Sequence, residues 1–296
     1  MTEKVSSGVP KKILLATDLS GRGDRALDRA TQLALQWDAE LTIVHALEGK
    51  GLDFPEYRPL PSWRQPPDPA AAVERKIRED IRGPCPRLRI VVEDGPAVQV
   101  ILDAAARGRA ELIVLGLGRQ RPFGAGGIGK TIDELFRRSP VSVLIVKRRP
   151  NGPYNHLLVG ADFTPEARRG LEAAARLFPT AATTVMHAYE MPYSGVMLDT
   201  QLGRDFGELE TATLRSFLDE AALSDEQRSR LDPLIEHGPP EMMLAAYVME
   251  RGADLTVIGA YERSRLFHVV VVGKGPRIVE SVPSDVLVVR AERPPK

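Results

Sequence analysis

The chain has 296 residues, enough for two domains that each bury a core. Charged residues make up 27% and apolar residues 43%, which excludes a disordered composition. Formal net charge is zero, which speaks against broad electrostatic binding, so neither a nucleic-acid nor a membrane partner is expected.

In chain order, the N-terminal MTEKVSSGVPKK lacks the apolar core of a signal peptide, and no apolar run approaches membrane-spanning length. Residues 13–17 read as a buried strand. Residues 22–36 carry Ala26, Leu27, Ala30, Leu33 and Ala34 at helical spacing. A second strand covers 40–46. Residues 48–69 hold six prolines and Trp63 and read as a long loop. A helix over 70–82, a strand over 88–92, a helix over 96–107 and a strand over 111–115 follow. The unit closes with a helix over 131–138 and a strand over 141–146. The single cysteine, Cys85, excludes an internal disulfide and a Cys-based metal cluster. These features lead to an expectation of a cytoplasmic protein with reduced thiols.

The same pattern then repeats. ILLATDLSGRGDRALDRATQLA, from Ile13, aligns with LLVGADFTPEARRGLEAAARLF, from Leu157. Asp18 meets Asp162, and Ser20 meets Thr164. His45-Ala46 meets His187-Ala188, Gly95-Pro96 meets Gly238-Pro239, and Gly116 meets Gly259. The offsets stay between 142 and 144 residues, so length changes are confined to loops. Short apolar strands separated by helices predict parallel pairing with helices on both faces, a doubly wound α/β unit. The expected domains are 1–148 and 149–296. Ligands of such sheets sit at the carboxyl ends of the strands, near the switch in strand order. Asp18, Ala46 and Gly116 all fall at predicted carboxyl ends and could share one crevice.

Residues 111–146 organise the chain. A buried strand ends at Gly116, a Gly-rich loop carrying Arg119 and Arg121 follows, and a helix starts near Thr131. That geometry holds phosphate, because backbone N–H groups converge at the helix N-terminus. GAGGIGKT, residues 124–131, also matches G-x4-G-K-[ST] literally. In a P-loop the glycine follows its strand closely, whereas seven residues separate Gly116 from Gly124.

These residues resemble the universal stress protein family in its tandem two-domain form. The resemblance covers roughly residues 10–148 and 154–291. It rests on ILLATDLS opening the first half and its counterpart the second, VHA at a strand end, G-P before the third helix, and the SPVSVLIV closing strand. It implies two tandem doubly wound units, each a five-stranded parallel sheet of order 3-2-1-4-5, packed through antiparallel contact of their fifth strands. It also implies ATP or ADP, with or without Mg²⁺, bound through G-x2-G-x9-G-[ST]. Carried over without gaps, Gly116 takes the first glycine, Arg119 stands at the second, Gly129 takes the third, and Lys130, followed by Thr131, stands at the Ser/Thr. Gly127 lies within the same loop. Asp18 takes the acidic position beside the nucleotide, and Ala46 the position whose backbone meets adenine. In the second half Glu262 and Val272 stand at glycine positions, so its loop motif is degenerate.

Bland readings of the same residues stand beside these. Asp18 and Asp162 could be helix caps. His45 and His187 fit structural histidines bonded to backbone, and no histidine spacing suggests zinc. Cys85 has no catalytic neighbour motif. Arg119, Arg121, Arg137 and Arg138 form either a solvated face or a polyphosphate clamp. No nucleophile-plus-base pair is evident, so no catalytic residue is assigned and ATP hydrolysis would at most be slow. The expected function is a stress-response regulator that binds nucleotide in its first half, acts through conformation or assembly, forms a homodimer and meets a regulatory protein partner. The alternatives are a nucleotide-free interaction scaffold of the same fold and a P-loop-like phosphoryl-transfer enzyme.

Overall fold

The computed structural model describes residues 8–21, 23–47, 68–85, 87–117, 128–190, 201–260 and 274–290, without the side chains of 201–206 and 274. Its first half holds β1 (Lys12–Ala16), α1 (Gly23–Trp37), β2 (Glu40–Leu47), α2 (Pro69–Asp80), β3 (Leu88–Asp94), α3 (Ala97–Gly108), β4 (Leu112–Gly116), α4 (Lys130–Arg138) and β5 (Ser142–Val146). The second half holds β6 (His156–Gly160), α5 (Pro165–Leu177), β7 (Ala182–Tyr189), α6 (Gln201–Glu220) and α7 (Asp225–Arg228). It continues with β8 (Leu231–His237), α8 (Pro240–Arg251), β9 (Leu255–Gly259), α9 (Lys274–Ser281) and β10 (Asp285–Val289). The expected first-half elements all form, with boundaries moved by one or two residues.

Burial on both faces explains the unbroken apolar runs. Ile13, Leu14 and Leu15 of β1 and Ile113 and Val114 of β4 are all sealed from water, as helix-covered parallel strands require. Each half pairs its strands in parallel in the order 3-2-1-4-5, the expected one. The two sheets then join. β5 and β10 pair antiparallel, with Leu144 opposite Leu287, giving one ten-stranded sheet. One core layer lies under α1, α2, α5 and α6, and the other under α3, α4, α8 and α9; each runs through both halves. The closing strands therefore cover one another, and neither is left as an open apolar edge.

The junction is polar as well as apolar. Trp37 of α1 lies 5.8 Å from Phe178, which Tyr154 meets edge-on at 5.2 Å. The Asp285 carboxylate accepts the backbone N–H groups of Lys147 and Arg148 at 2.8 and 2.9 Å and the Tyr154 hydroxyl at 2.6 Å. The Lys147 ammonium donates to the carbonyls of Val279 and Val282, at the end of α9. Burial lowers Lys147 from an ordinary 10.5 to about 8, against the pull of Asp285 and Glu280. Between those values the unfolded chain binds more protons than the folded one, so stability rises with pH. The rise attributable to Lys147 should reach about 2 kcal/mol by pH 9.5. Urea midpoints at pH 7.5 and 9.5 should show the rise in the natural chain and lose it in Lys147→Met. An equal rise in the variant would remove Lys147 as its cause.

Candidate functional site

Strand order reverses between β1 and β4, and a cleft of about 370 Å³ opens at the carboxyl ends of the strands there. β1 and its exit contribute Ala16, Thr17 and Asp18. β2 contributes Val44, His45 and Ala46, and β4 contributes Leu115 and Gly116. The opening of α1 adds Gly23, and α3 adds Ala97 and Ile101. Residues Ile128 to Ile132, through Gly129, Lys130 and Thr131, close the remaining side. Six expected site residues, Asp18, Ala46, Gly116, Gly129, Lys130 and Thr131, thus share one wall system. Arg119 and Gly127, with Arg121, lie outside the described residues.

The polar groups of the cleft are placed by local bonding. Asp18 Oδ1 accepts from the Ser20 backbone N–H at 3.0 Å and from the Ser20 hydroxyl at 2.6 Å. The Ser20 hydroxyl in turn accepts from Gly23 N–H at 3.2 Å, where α1 begins. The second half repeats this. Asp162 accepts from Thr164, and Thr164 caps α5 through Ala167 N–H at 3.2 Å. The capping reading of the two aspartates is thereby corrected by one step: the hydroxyl two residues on is the cap, and the carboxylate holds the hydroxyl. His45 Nδ1 donates to Thr17 O at 2.8 Å, and His187 Nδ1 to Ala161 O at 2.7 Å. Both histidines are the backbone-bonded strand-end residues their pairing suggested.

At the start of α4 the N-cap residue is Gly129, at φ 85°, which has no side chain to cap the helix. A side chain at Gly129 would have free space but a strained backbone. Residues 128–132 line the cleft, so the positive end of the α4 dipole lies at its wall. Lys130, 90% exposed, adds a cation where the dipole already disfavours one, and Glu134, at 4.0 Å, is its nearby anion. Glu134 is shared with Arg138 at 3.4 Å, and Arg137 is taken by Asp133. Arg137 and Arg138 thus pair along their own helix, which favours the solvated-face reading for them. An anion in the cleft would relieve the charge at Lys130. Among the described residues no cluster of three metal-ligating side chains occurs.

The sequence reading missed Thr17, Gly23, Ile101, Ile128 and Ile132. Thr17 and Gly23 flank Asp18 and the capping Ser20, and Ile128 and Ile132 are an i, i+4 pair at the start of α4. A strand-end rule extended by one residue, and by one helical turn, would have found most of them. Cys85 borders a separate cavity of about 40 Å³, and burial pushes its thiol up, away from thiolate character.

The second half fills the corresponding strand end differently. Phe163 stacks on His187 at 4.1 Å, and α6 packs Phe217 against Phe163 at 5.9 Å. Glu210 of α6 lies 3.2 Å from His187 Nε2. Glu262 and Val272 lie outside the described residues.

Comparison with known proteins places these observations. A family model described as the universal stress protein family matches residues 10–147 and again 153–290. A Thermus aquaticus protein, a universal stress protein named for its place beside a QAH/OAS sulfhydrylase, is 29% identical over 145 residues, 46% of this chain and 98% of its own length. A universal stress protein from Archaeoglobus fulgidus DSM 4304 is 18% identical, covers 97% of this chain and 99% of its own, and superposes with a TM-score of 0.62. A universal-stress-type protein of Pseudomonas aeruginosa UCBPP-PA14 is 19% identical, with 96% and 94% covered and a TM-score of 0.66. A universal stress protein solved in complex with cAMP matches one half only, at 25% identity, 47% of this chain, 98% of its own and a TM-score of 0.37.

Proposed function

The chain belongs to the universal stress protein family, in tandem form, and on that premise we propose that its first half is an ATP- or ADP-binding regulatory module. The observation that carries this reading is the convergence of Asp18, Ala46, Gly116, Gly129, Lys130 and Thr131 on one cleft at the switch in strand order. In this reading the backbone at the start of α4 and Lys130 take the phosphates, and Arg119 and Gly127 belong to the same phosphate loop. Val44, Ile101 and the Ala46 backbone face the nucleoside. Mg²⁺ would accompany the phosphates and neutralise part of their charge, and Asp18 is a carboxylate in the cleft wall that could hold it. Occupancy biases the conformation or assembly of the chain by binding one state more tightly than another. Because β5 and β10 pair within the chain, two chains associate as a homodimer through other surfaces, where a regulatory protein reads the bound state. The module works in the cytoplasm as a binder, not as a dedicated phosphoryl-transfer enzyme.

The test is direct. Freshly purified protein is denatured and any released nucleotide is identified by chromatography. About one ATP or ADP per chain is the expected result. An empty protein that also gives no heat on titration with millimolar ATP would leave the scaffold reading in its place.

A further inference from the structure

Helix α1 links the cleft to the second half. Its first residue, Gly23, lines the cleft, and its N-terminus is tied through Ser20 to Asp18. Less than two turns on, Arg29 is 5% exposed at the junction. Its Nε lies 3.6 Å from Asp285 Oδ2, its guanidinium carbon sits 3.9 Å from the Tyr154 ring centroid, and its Nη1 donates to Gly152 O at 2.9 Å. Asp285 is fully buried and belongs to β10, so one carboxylate of the second half holds both α1 and the connecting segment. The repeat-equivalent positions are Ala173 and Ser142. No equivalent pair can run from the second half's helix to the first half's closing strand.

A buried ion pair is a weak device for stability, because desolvation offsets most of the attraction and apolar replacements often do as well. Its best-attested use is to fix one placement among several. α4 shows a related arrangement. It opens on the cleft at Lys130, while its Phe136 carbonyl accepts from Arg290 of the second half. The Phe136 ring sits 2.6 Å from where a Cβ on Gly275 would be. Two of the three helices whose first residues line the cleft, α1 and α4, are therefore gripped further along by the second half.

We propose that Arg29 and Asp285 are positioning residues through which the second half sets the ligand affinity of the first-half cleft. The second half is then a regulatory partner of that cleft, fused in the same chain. This inference rests on the nucleotide reading of the cleft. The pair acts through the placement of α1 and contacts no ligand itself. Its leverage is the difference in affinity between the two placements of α1.

Asp285→Asn keeps the shape and one accepting oxygen while removing the charge. Calorimetric titration with ATP should show affinity lowered about five- to ten-fold in Asp285→Asn and in Arg29→Gln, with native circular dichroism in both. The double variant should bind no more weakly than either single one, because both act through one link. Arg29→Lys, which keeps the charge, should return affinity to within about two-fold of the natural chain. Affinity unchanged in the folded single variants, or losses that add in the double variant, would overturn the proposal. A ligand-free readout separates its failure from that of the nucleotide reading. Amide exchange at residues 16–23 and 129–133 should speed up in Asp285→Asn without any ligand. If the natural chain binds no nucleotide, the cleft assignment fails first, and unchanged exchange in the variant would then sink the positioning role as well.

Discussion

Gly259→Ala should lower stability by about 4 kcal/mol, because among the described residues no other glycine's added methyl group meets backbone so closely. Gly259 ends β9, where α5 comes down onto the sheet. A Cβ built there lies 2.3 Å from the carbonyl oxygen of Glu166, 2.4 Å from its carbon and 2.7 Å from the nitrogen of Ala167. All three are backbone atoms at the start of a helix, so no side chain can swing away. The helix must lift, and α5 carries Ala167, Leu171 and Ala174, all buried in the shared core. Gly170 reinforces the point, since its own Cβ would meet Gly259 N at 3.4 Å. The urea midpoint of Gly259→Ala against the natural chain measures the cost. Loss of soluble expression is the same result in stronger form. A midpoint within 1 kcal/mol, at an ordinary slope, would mean that α5 can shift freely and that this close approach is not a constraint.

That glycine shows where sequence reading stops. Gly116 and Gly259 align in the repeat, and the family pattern assigns the first of them to phosphate. In the second half the residue is required by helix-on-strand contact, a demand that leaves no local mark because Glu166 lies 93 residues earlier. What was legible was written locally. Runs such as ILLA and LIVLG announce strands buried on both faces, and Ala26, Leu27, Ala30 and Leu33 announce the inner side of α1. The pairing of β5 with β10 was inferable because two apolar closing strands need cover. Arg29 was not legible. In sequence it is one more charge on an amphipathic helix, and its partner Asp285 has Ser142 as its repeat counterpart, so the duplication conceals the pair. The cap was half legible: repeat-equivalent aspartates signalled a shared role, but the short bond from the hydroxyl two residues on depends on chain geometry that residue types do not state.

The combined change Gly129→Val with Lys130→Ala should weaken ATP binding at least about 100-fold, a loss of roughly 3 kcal/mol. Two separable causes produce it. Lys130 would supply a charge-assisted contact to phosphate, worth about 1.5–3 kcal/mol. Valine at φ 85° and ψ 144°, a conformation that glycine adopts far more readily than a β-branched residue, costs about 1–3 kcal/mol and turns the first-turn N–H groups away from the ligand. The variant should still fold, since a Cβ at Gly129 meets nothing within 4 Å and Lys130 is exposed. The single change Lys130→Ala carries the sharper test, because its two effects have opposite signs. Removing a cation from the positive end of α4 should raise the stability of the empty protein by about 0.3–1 kcal/mol, even after its distant pairing with Glu134 is lost. The same change should weaken ATP about ten-fold and flatten the dependence of affinity on salt. A lysine kept only as a solvated surface residue would show the gain without the loss. Equal ATP affinity in Lys130→Ala and the natural chain would take the Lys130 ammonium out of the phosphate site. Among the described residues the cleft would then hold its ligand through the backbone at Gly129 and the strand ends at Asp18, Thr17 and Ala46.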